Sequence, residues 1–183
     1  MLVRTRFSNK TDIDGADHIV DAPFVGFDIE TDGLYIERGA RMREFAVVDR
    51  GGLRLGWSDL TSANSELSAS LVARLLENLN EHIVVGHNLA FDLKFLAAEA
   101  DRFDQYCPRI YCVDTLGLSR KLLADTLSNF KLAQVATHLN IELPGTLHRA
   151  EPDARLTMLV FEKLCQRFDL KTLADVDMRR FAL

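Results

Sequence analysis

Short apolar runs separated by polar turns occupy the first third of the chain, and they predict β-strands. Residues 23–30 form an apolar run that ends in carboxylates. Residues 44–48 and 53–57 are apolar runs on either side of a polar, glycine-rich turn at 49–52, which is the pattern of a β-hairpin. We therefore expect three strands before the first long helix.

The rest of the chain alternates between helical periodicity and short strands. Apolar residues recur every three or four positions in five segments, which predict helices over residues 65–79, 88–100, 115–124, 129–139 and 152–168. Candidate N-terminal caps for the first four are Asn64 or Ser65, Asn88, Asp114, and Ser128 or Asn129. We expect buried strands over residues 82–86 and 109–113. We expect a final short helix or a docked tail over residues 170–183. This order indicates an α/β fold with a mixed five-stranded central sheet flanked by helices.

Composition is typical of a globular protein, with 48% hydrophobic and 27% charged residues in a chain of 183. We expect an irregular N-terminal arm over residues 1–22, which are mostly polar, and a single domain over residues 23–183. No apolar stretch approaches the roughly 20 residues that a membrane span needs, and the start lacks the apolar core of a signal peptide. The sequence therefore predicts a cytoplasmic protein without a membrane partner.

Charge and cysteine content narrow the functional classes. The formal net charge of −5 argues against a broad basic surface that wraps duplex nucleic acid, although it leaves room for a small nucleic-acid site. The three cysteines (Cys107, Cys112 and Cys165) are odd in number and lack C-x-x-C spacing. They fit neither a disulfide framework nor a zinc site.

The first candidate chemistry is at the end of the opening strand. Asp28 and Glu30 are two residues apart, so they point to the same face of a strand, with α-carbons roughly 6.5 Å apart. Two buried carboxylates at that distance repel each other unless a cation lies between them. A hard divalent cation would remove the conflict. The simpler alternative is a strand that ends in solvent with hydrated carboxylates.

Two later stretches carry further candidate groups. Asp92 falls in the first turns of the helix that follows Asn88, where the helix dipole favours a carboxylate with or without a metal. Pro152 suits a first helical turn, which places Asp153 just inside the last long helix and His148 in the loop before it. In that arrangement His148 and Asp153 can converge on one site. A solvated loop histidine is the alternative.

Together the three stretches resemble the three motifs of the DEDD exonuclease superfamily, in its histidine-containing branch. That branch includes the proofreading 3′ to 5′ exonuclease subunit of bacterial replicative polymerases and ribonuclease T. The first motif, D-x-E-T-x-G-L, is matched by Asp28, Glu30, Thr31, Gly33 and Leu34. The second, H-N-x-x-F-D, is matched by His87, Asn88, Phe91 and Asp92. The third, H-R-A-x-x-D-A, is matched by His148, Arg149, Ala150, Asp153 and Ala154.

The resemblance implies a ribonuclease H-like fold and a site that binds two divalent cations, Mg²⁺ or Mn²⁺. It assigns metal ligation to Asp28, Glu30, Asp92 and Asp153, and the general base to His148. It also implies that Glu30 contacts the terminal 3′ hydroxyl. The implied substrate-binding residues are Thr31, Gly33, Leu34, His87, Asn88, Phe91 and Arg149. Carboxylate ligands without cysteine suit Mg²⁺ or Mn²⁺ better than zinc.

The leading functional hypothesis is a metal-dependent 3′ to 5′ exonuclease that releases nucleoside 5′-monophosphates from the 3′ end of single-stranded DNA. An exoribonuclease with the same mechanism is the near alternative. A non-catalytic module that binds a polymerase or a nucleic-acid end is the alternative from another class. The chain ends soon after its last predicted helix, which favours a free-standing enzyme, and a DNA polymerase subunit and a second copy of the chain remain candidate partners.

Overall fold

The computed structural model describes residues 13–59, 66–146 and 148–182 and contains a six-stranded sheet. The strands are β1 (Phe24–Thr31), β2 (Met42–Asp49), β3 (Gly52–Ser58), β4 (Ile83–Gly86), β5 (Arg109–Asp114) and β6 (Arg179–Ala182). Their order in the sheet is β3-β2-β1-β4-β5-β6. Strands β1, β4 and β5 are parallel, whereas β2, β3 and β6 are antiparallel to their neighbours. The predicted mixed α/β sheet is therefore confirmed, and the hairpin forms β2 and β3.

The prediction of five strands was wrong, because the C-terminal segment adds a sixth. Residues 179–182 pair antiparallel with β5, with Ile110 opposite Phe181. Without this pairing, the outer edge of β5 would leave its N–H and C=O groups without partners in the sheet. The segment is only four residues long, so its alternation gives too weak a signal to distinguish a strand from a docked tail.

Five α-helices cover the sheet in the described ranges: α1 (Ala69–Asn80), α2 (Leu89–Arg102), α3 (Thr115–Leu123), α4 (Leu132–His138) and α5 (Ala150–Arg167). Helix α1 is capped by Ser68, whose side chain accepts a hydrogen bond from the Leu71 N–H. The predicted caps Asn64 and Ser65 lie outside the described residues. Asp114 caps α3 as predicted, by accepting from the Leu116 N–H at 3.0 Å.

Helix α4 begins later than predicted, after Lys131 rather than after Ser128 or Asn129. The Asn129 side chain accepts the N–H of Lys131 at 3.2 Å, which is a local turn and not a helix cap. The carbonyl of Phe130 is meanwhile bonded to the side chain of His87 at 2.8 Å. Both bonds lie just before the first helical residue, Leu132, and Lys131 itself has an extended backbone.

Apolar side chains form a core on each face of the sheet. On one face, α5 packs against side chains such as Ala46, Val48 and Val85. On the other, α1 and α2 pack against Phe27 and Phe45. Buried strands covered on both faces explain why β4 reads as a continuous apolar run rather than as an alternation.

Residues 1–12 of the expected N-terminal arm lie outside the described residues. Within residues 13–22, His18 forms a β-bridge with Thr172, and the short 3-10 helix Ile19–Asp21 follows. Ile19 is buried in the core that contains α5. The last ten residues of the arm are thus joined to the C-terminal part of the chain. None of the helices in the described ranges has the length and hydrophobicity that a membrane crossing requires.

Close packing of β1 against α5 depends on Gly26. A Cβ at this position would lie 2.6 Å from Met158 Cγ and 2.7 Å from the Ala154 carbonyl oxygen. The backbone oxygen cannot move without displacing α5. Gly26→Ala is therefore expected to lower the free energy of unfolding by about 1–3 kcal/mol, the usual cost of overpacking, as measured by urea denaturation.

The matched control is Gly117→Ala in α3, where an added Cβ would meet no heavy atom within 4 Å. Alanine is a better helix former than glycine, so this control is expected to be neutral or stabilising by up to ~1 kcal/mol. Equal stability of Gly26→Ala and the wild type would contradict the packing argument.

Candidate active site

The first two candidate ligands extend from β1 toward α5. Phe27 and Ile29 pack into the core on the α1 and α2 side of the sheet, so Asp28 and Glu30 point to the opposite face. Both carboxylates are partly exposed at the C-terminal end of the strand. The predicted shared face of Asp28 and Glu30 is therefore present in the structure.

Asp92 reaches the same end of β1 from the first turn of α2. Its side chain is 5% exposed, and its Oδ1 accepts a hydrogen bond from the Ile29 N–H at 3.2 Å. Burial raises the pKa of Asp92 to about 8, although the bonds from its own N–H and that of Ile29 favour the ionised form. The Asp92 carboxyl group therefore binds a proton more readily than an exposed carboxyl group does.

His148 and Asp153 approach each other at the start of α5. His148 has a left-handed backbone with φ 62°, and its N–H donates to Asp153 Oδ2 at 3.1 Å. Arg149 occupies the N-cap position, so His148 lies in the loop and Asp153 in the first turns, as predicted. The left-handed conformation lets the loop fold back over the helix end. The exposed His148 side chain can therefore face the carboxylates of β1.

Ligand atoms of Glu30, His148 and Asp153 all lie within 4.8 Å of one another. Asp153 Oδ1 is buried and has no hydrogen-bond partner, unlike its Oδ2. An orphaned buried carboxylate oxygen is costly unless a ligand satisfies it. The carboxylate oxygens of Glu30 and Asp153 are the kind of ligand that a hard divalent cation prefers.

Electrostatic coupling extends this cluster to Asp28. The pKa of Asp28 is raised well above its usual range, first by burial and then by Asp92, Asp153 and Glu30. The pKa values of Glu30 and Asp153 are also raised, in both cases mainly by burial. Four carboxylates thus meet at one end of β1 in a shared field, which a bound cation would relieve.

A fifth carboxylate, Glu44, was missed by the sequence analysis. It lies on β2 directly opposite Glu30 and is 5% exposed. The guanidinium of Arg149 donates to Glu44 Oε2 at 2.7 Å, which neutralises the buried charge. The only sequence signal is a single acid at the head of an apolar run, and the strand register that places it beside Glu30 cannot be read from that signal. Arg149, predicted to bind substrate, is therefore also a structural partner that ties the His148 loop to β2.

The structure does not bring His87 to the carboxylate cluster. Its Nδ1 is bonded to Thr115 Oγ1 at 2.9 Å and its Nε2 to the Phe130 carbonyl at 2.8 Å. Burial lowers the pKa of His87. Asn88 precedes α2 as predicted, but its backbone is left-handed and its side chain makes no capping bond. Instead its N–H donates to Asp114 Oδ1 at 2.9 Å.

The remaining predicted substrate residues lie at the end of β1, just beyond it, and on α2. Thr31 donates its hydroxyl to the Gly33 carbonyl at 2.8 Å, which closes a tight turn, and Leu34 is 69% exposed. Phe91 is half-buried, with its ring centroid 4.9 Å from that of Phe95. Leu34 is thus available to a ligand, whereas Phe91 is partly committed to the core.

Sequence comparison identifies relatives of this chain. Residues 55–161 match the family model RNase_T, whose description is exonuclease. The match begins after Asp28 and Glu30 and includes Asp92, His148 and Asp153. DNA polymerase III PolC-type of Oceanobacillus iheyensis is 33% identical over 86% of this chain, which corresponds to 12% of that protein. DNA polymerase III subunit epsilon of Aquifex aeolicus is 25% identical over 85% of this chain and 86% of its own length.

Solved structures support the fold. The structure of S. pombe Pop2p, in its Mg²⁺- and Mn²⁺-bound form, aligns with a TM-score of 0.55 over 82% of this chain and 86% of that one, at 15% identity. At this identity the likeness concerns the fold alone. The ribonuclease H-like fold expected from the sequence is confirmed.

The raised pKa of Asp92 predicts an unusual pH dependence of stability without metal. The unfolded chain releases this proton near pH ~4, whereas the folded protein keeps it to about pH 8. Between these values the folded state holds more protons, so its stability falls as pH rises. With chelator present, Asp92→Asn is expected to gain stability over the wild type by up to about 1.4 kcal/mol per pH unit. Urea denaturation from pH 5 to 8 measures the gain.

Asparagine keeps the oxygen that accepts the Ile29 N–H, so this variant isolates the charge. Asp125→Asn on an exposed turn is the control, and its pH dependence should follow that of the wild type. Parallel curves for Asp92→Asn and the wild type would contradict the argument.

The ion pair between Arg149 and Glu44 predicts a structural cost for the loss of the arginine. Arg149→Ala leaves the buried Glu44 carboxylate without its partner, so the free energy of unfolding, measured by urea denaturation, should fall. The double variant Arg149→Ala with Glu44→Gln should recover part of this loss, because the unpaired charge is gone. If the double variant loses as much stability as Arg149→Ala and Glu44→Gln lose together as single variants, the two side chains are independent.

Proposed function

Because the chain belongs to the RNase_T exonuclease family, we propose that it is a metal-dependent 3′ to 5′ exonuclease that acts on the 3′ end of single-stranded DNA. The observation that carries the proposal is the convergence of Glu30, His148 and Asp153 within 4.8 Å, from two elements far apart in sequence. A binding module would gain nothing from four mutually repelling carboxylates beside an exposed histidine. The products would be nucleoside 5′-monophosphates.

Divalent cations held by Asp28, Glu30, Asp92 and Asp153 would activate the attacking water and stabilise the leaving 3′ oxygen when bound. The orphaned Asp153 Oδ1 and the raised pKa values of all four carboxyl groups support their assignment as ligands. Mg²⁺ and Mn²⁺ suit an all-oxygen set. The Pop2p structure, which bears both ions, has the same fold.

His148 is the proposed general base. Its side chain is exposed at the mouth of the cluster, and the unprotonated nitrogen of a neutral imidazole can accept a proton from water. Its N–H bond to Asp153 fixes the backbone, so the imidazole is presented from a defined position. Glu30, which is partly exposed, is proposed to contact the terminal 3′ hydroxyl as well as a cation.

The terminal nucleotide would be bound by the turn that follows β1. The bond between Thr31 and Gly33 shapes this turn, and the exposed Leu34 can pack against the last bases. DNA is favoured as the substrate because the PolC-type and epsilon relatives are named as DNA polymerase III proteins. Action on RNA by the same chemistry is the second candidate, and a polymerase is a candidate partner on the same grounds.

Removal of the proposed base tests the mechanism. His148→Asn is the suitable change because asparagine tolerates the left-handed backbone that His148 adopts. It is expected to slow cleavage of single-stranded DNA by about 10²–10⁴-fold, the range for loss of a positioned base. The assay follows 5′-labelled DNA and RNA of matched sequence with Mg²⁺ or Mn²⁺ and with chelator.

The matched control is His138→Asn at the end of α4, which should cleave like the wild type. A metal-dependent ladder that shortens from the 3′ end is the expected product pattern, and the faster substrate identifies the preferred sugar. Wild-type rates for His148→Asn would remove the histidine from the mechanism. Absence of a ladder on either substrate would contradict the nuclease proposal itself.

A further inference from the structure

The loop over residues 32–41 joins β1 to β2 and begins with the proposed terminal-nucleotide turn. It borders an open surface pocket of about 360 Å³, lined by Asp32, Gly33, Leu34, Tyr35 and the segment 38–40. Leu34 is 69% exposed and Tyr35 is 49% exposed. Among the exposed large hydrophobic side chains of the described residues, these two are the only pair adjacent in sequence. Adjacent exposed apolar groups at a functional site indicate a contact surface.

The tip of this loop is preformed rather than loose. Backbone bonds run from Arg38 and Ala40 N–H to the Tyr35 carbonyl, at 3.0 and 3.2 Å. Gly39 closes the turn with φ 91°, which a residue with a side chain rarely adopts. A ligand that binds here therefore meets an ordered surface and does not have to order the loop first.

The base of the loop is held by ion pairs. Asp32 accepts the Arg41 N–H at 2.7 Å and the Arg43 Nε at 2.9 Å. The guanidinium of Arg41 forms a bidentate pair with the fully buried Glu99, both contacts being 2.8 Å. Arg43 also contacts Asp59 at 2.9 Å. Two of the three arginines near this loop are therefore occupied by structural partners.

Arg38 is the third, and its chemistry differs. Within residues 13–59, 66–146 and 148–182 it forms no ion pair, and its side chain is exposed. Its guanidinium carbon lies 4.6 Å from the centroid of the Tyr35 ring, so a flat cation stacks on a flat aromatic group. Aromatic rings and guanidinium planes are the groups on which unpaired bases stack, and an arginine without a carboxylate partner can bind a phosphate.

We propose that Tyr35 and Arg38 form a second nucleotide subsite, which binds the base and phosphate of a nucleotide upstream of the 3′-terminal one. The proposal rests on the proposed exonuclease function. The terminal nucleotide would occupy the turn at Thr31, Gly33 and Leu34, and nothing follows it on the substrate. We assign contacts farther along the same loop to upstream nucleotides. The subsite would make the enzyme prefer single-stranded oligonucleotides to a single nucleotide ester.

The test compares Tyr35→Ala with the wild type on two substrates, with Mn²⁺ present. The p-nitrophenyl ester of thymidine 5′-monophosphate fills only the terminal site, whereas an oligothymidylate of eight nucleotides fills both sites. Stacking of one base on an aromatic ring is worth about 1–3 kcal/mol, or roughly 5- to 150-fold. We expect kcat/KM on the oligonucleotide to fall by that factor and kcat/KM on the ester to stay within about twofold.

A substrate without one base identifies the nucleotide concerned. We use oligothymidylates with an abasic residue at the second or the third position from the 3′ end. At one of these positions, loss of the base should lower kcat/KM of the wild type by a similar factor. It should not lower kcat/KM of Tyr35→Ala further, because the stacking partner is already absent. Tyr35→Phe should retain the wild-type rate on the oligonucleotide. Arg38→Gln should make binding less dependent on salt, by about 0.7 in the log–log slope for one lost phosphate contact.

Tyr106→Ala, at an 85% exposed tyrosine after α2, is the control and should leave both substrates unaffected. Equal rates for Tyr35→Ala and the wild type on the oligonucleotide would overturn the subsite, as would equal losses on both substrates. If the wild type cleaves neither substrate, the proposed function fails, and the subsite is judged by fluorescence anisotropy of labelled oligothymidylate. Weaker binding by Tyr35→Ala would then support it, and unchanged binding would overturn it.

Discussion

Burial of four carboxyl groups together at the C-terminal end of β1 is the constraint on which the arrangement of this molecule depends. Asp28, Glu30, Asp92 and Asp153 come from three elements, and burial raises the pKa of each. Such a cluster persists only because the surrounding fold is rigid enough to hold it. Gly26, two residues before Asp28, lets α5 pack directly on β1 and so fixes the distance to Asp153. Ionisation of these carboxyl groups is therefore unfavourable in the fold, and a bound divalent cation would stabilise their ionised forms.

Buried acidic groups near the cluster form ion pairs with arginines, which distinguishes them from the four carboxylates of the cluster. Glu44 is paired with Arg149, and Glu99 accepts from both Arg41 and Arg102. A buried charge with a partner is satisfied and attracts no cation. The four carboxylates of the cluster are not paired with basic side chains in this way within the described residues, apart from their proximity to His148. Under the proposed function, these carboxylates are the ones that would bind the metal and contact the substrate.

The sequence predicted most of what depends on local order. The shared face of Asp28 and Glu30 follows from strand periodicity, and the position of His148 before α5 follows from Pro152. Glu44 could not be found in this way, because its role depends on the register that places it opposite Glu30. Strand β6 was missed for a similar reason, since its pairing with β5 is a long-range contact. Long-range pairing is a property of the folded sheet, and one sequence contains little local trace of it.

The second motif shows why residues that are close in sequence do not all belong to the site. Asn88 turns the chain through a left-handed conformation, so His87 points to Thr115 and Phe130 while Asp92 points to β1. The N–H groups of Asn88 and Leu116 both donate to Asp114 Oδ1, and the bond from Leu116 is the one that caps α3. The start of α2 is thereby fixed to the start of α3, and Asp92 is carried on that junction. Because a buried carboxyl group has little freedom to adjust, these hydrogen bonds act together with its own contact with Ile29 to position Asp92 relative to the other carboxylates.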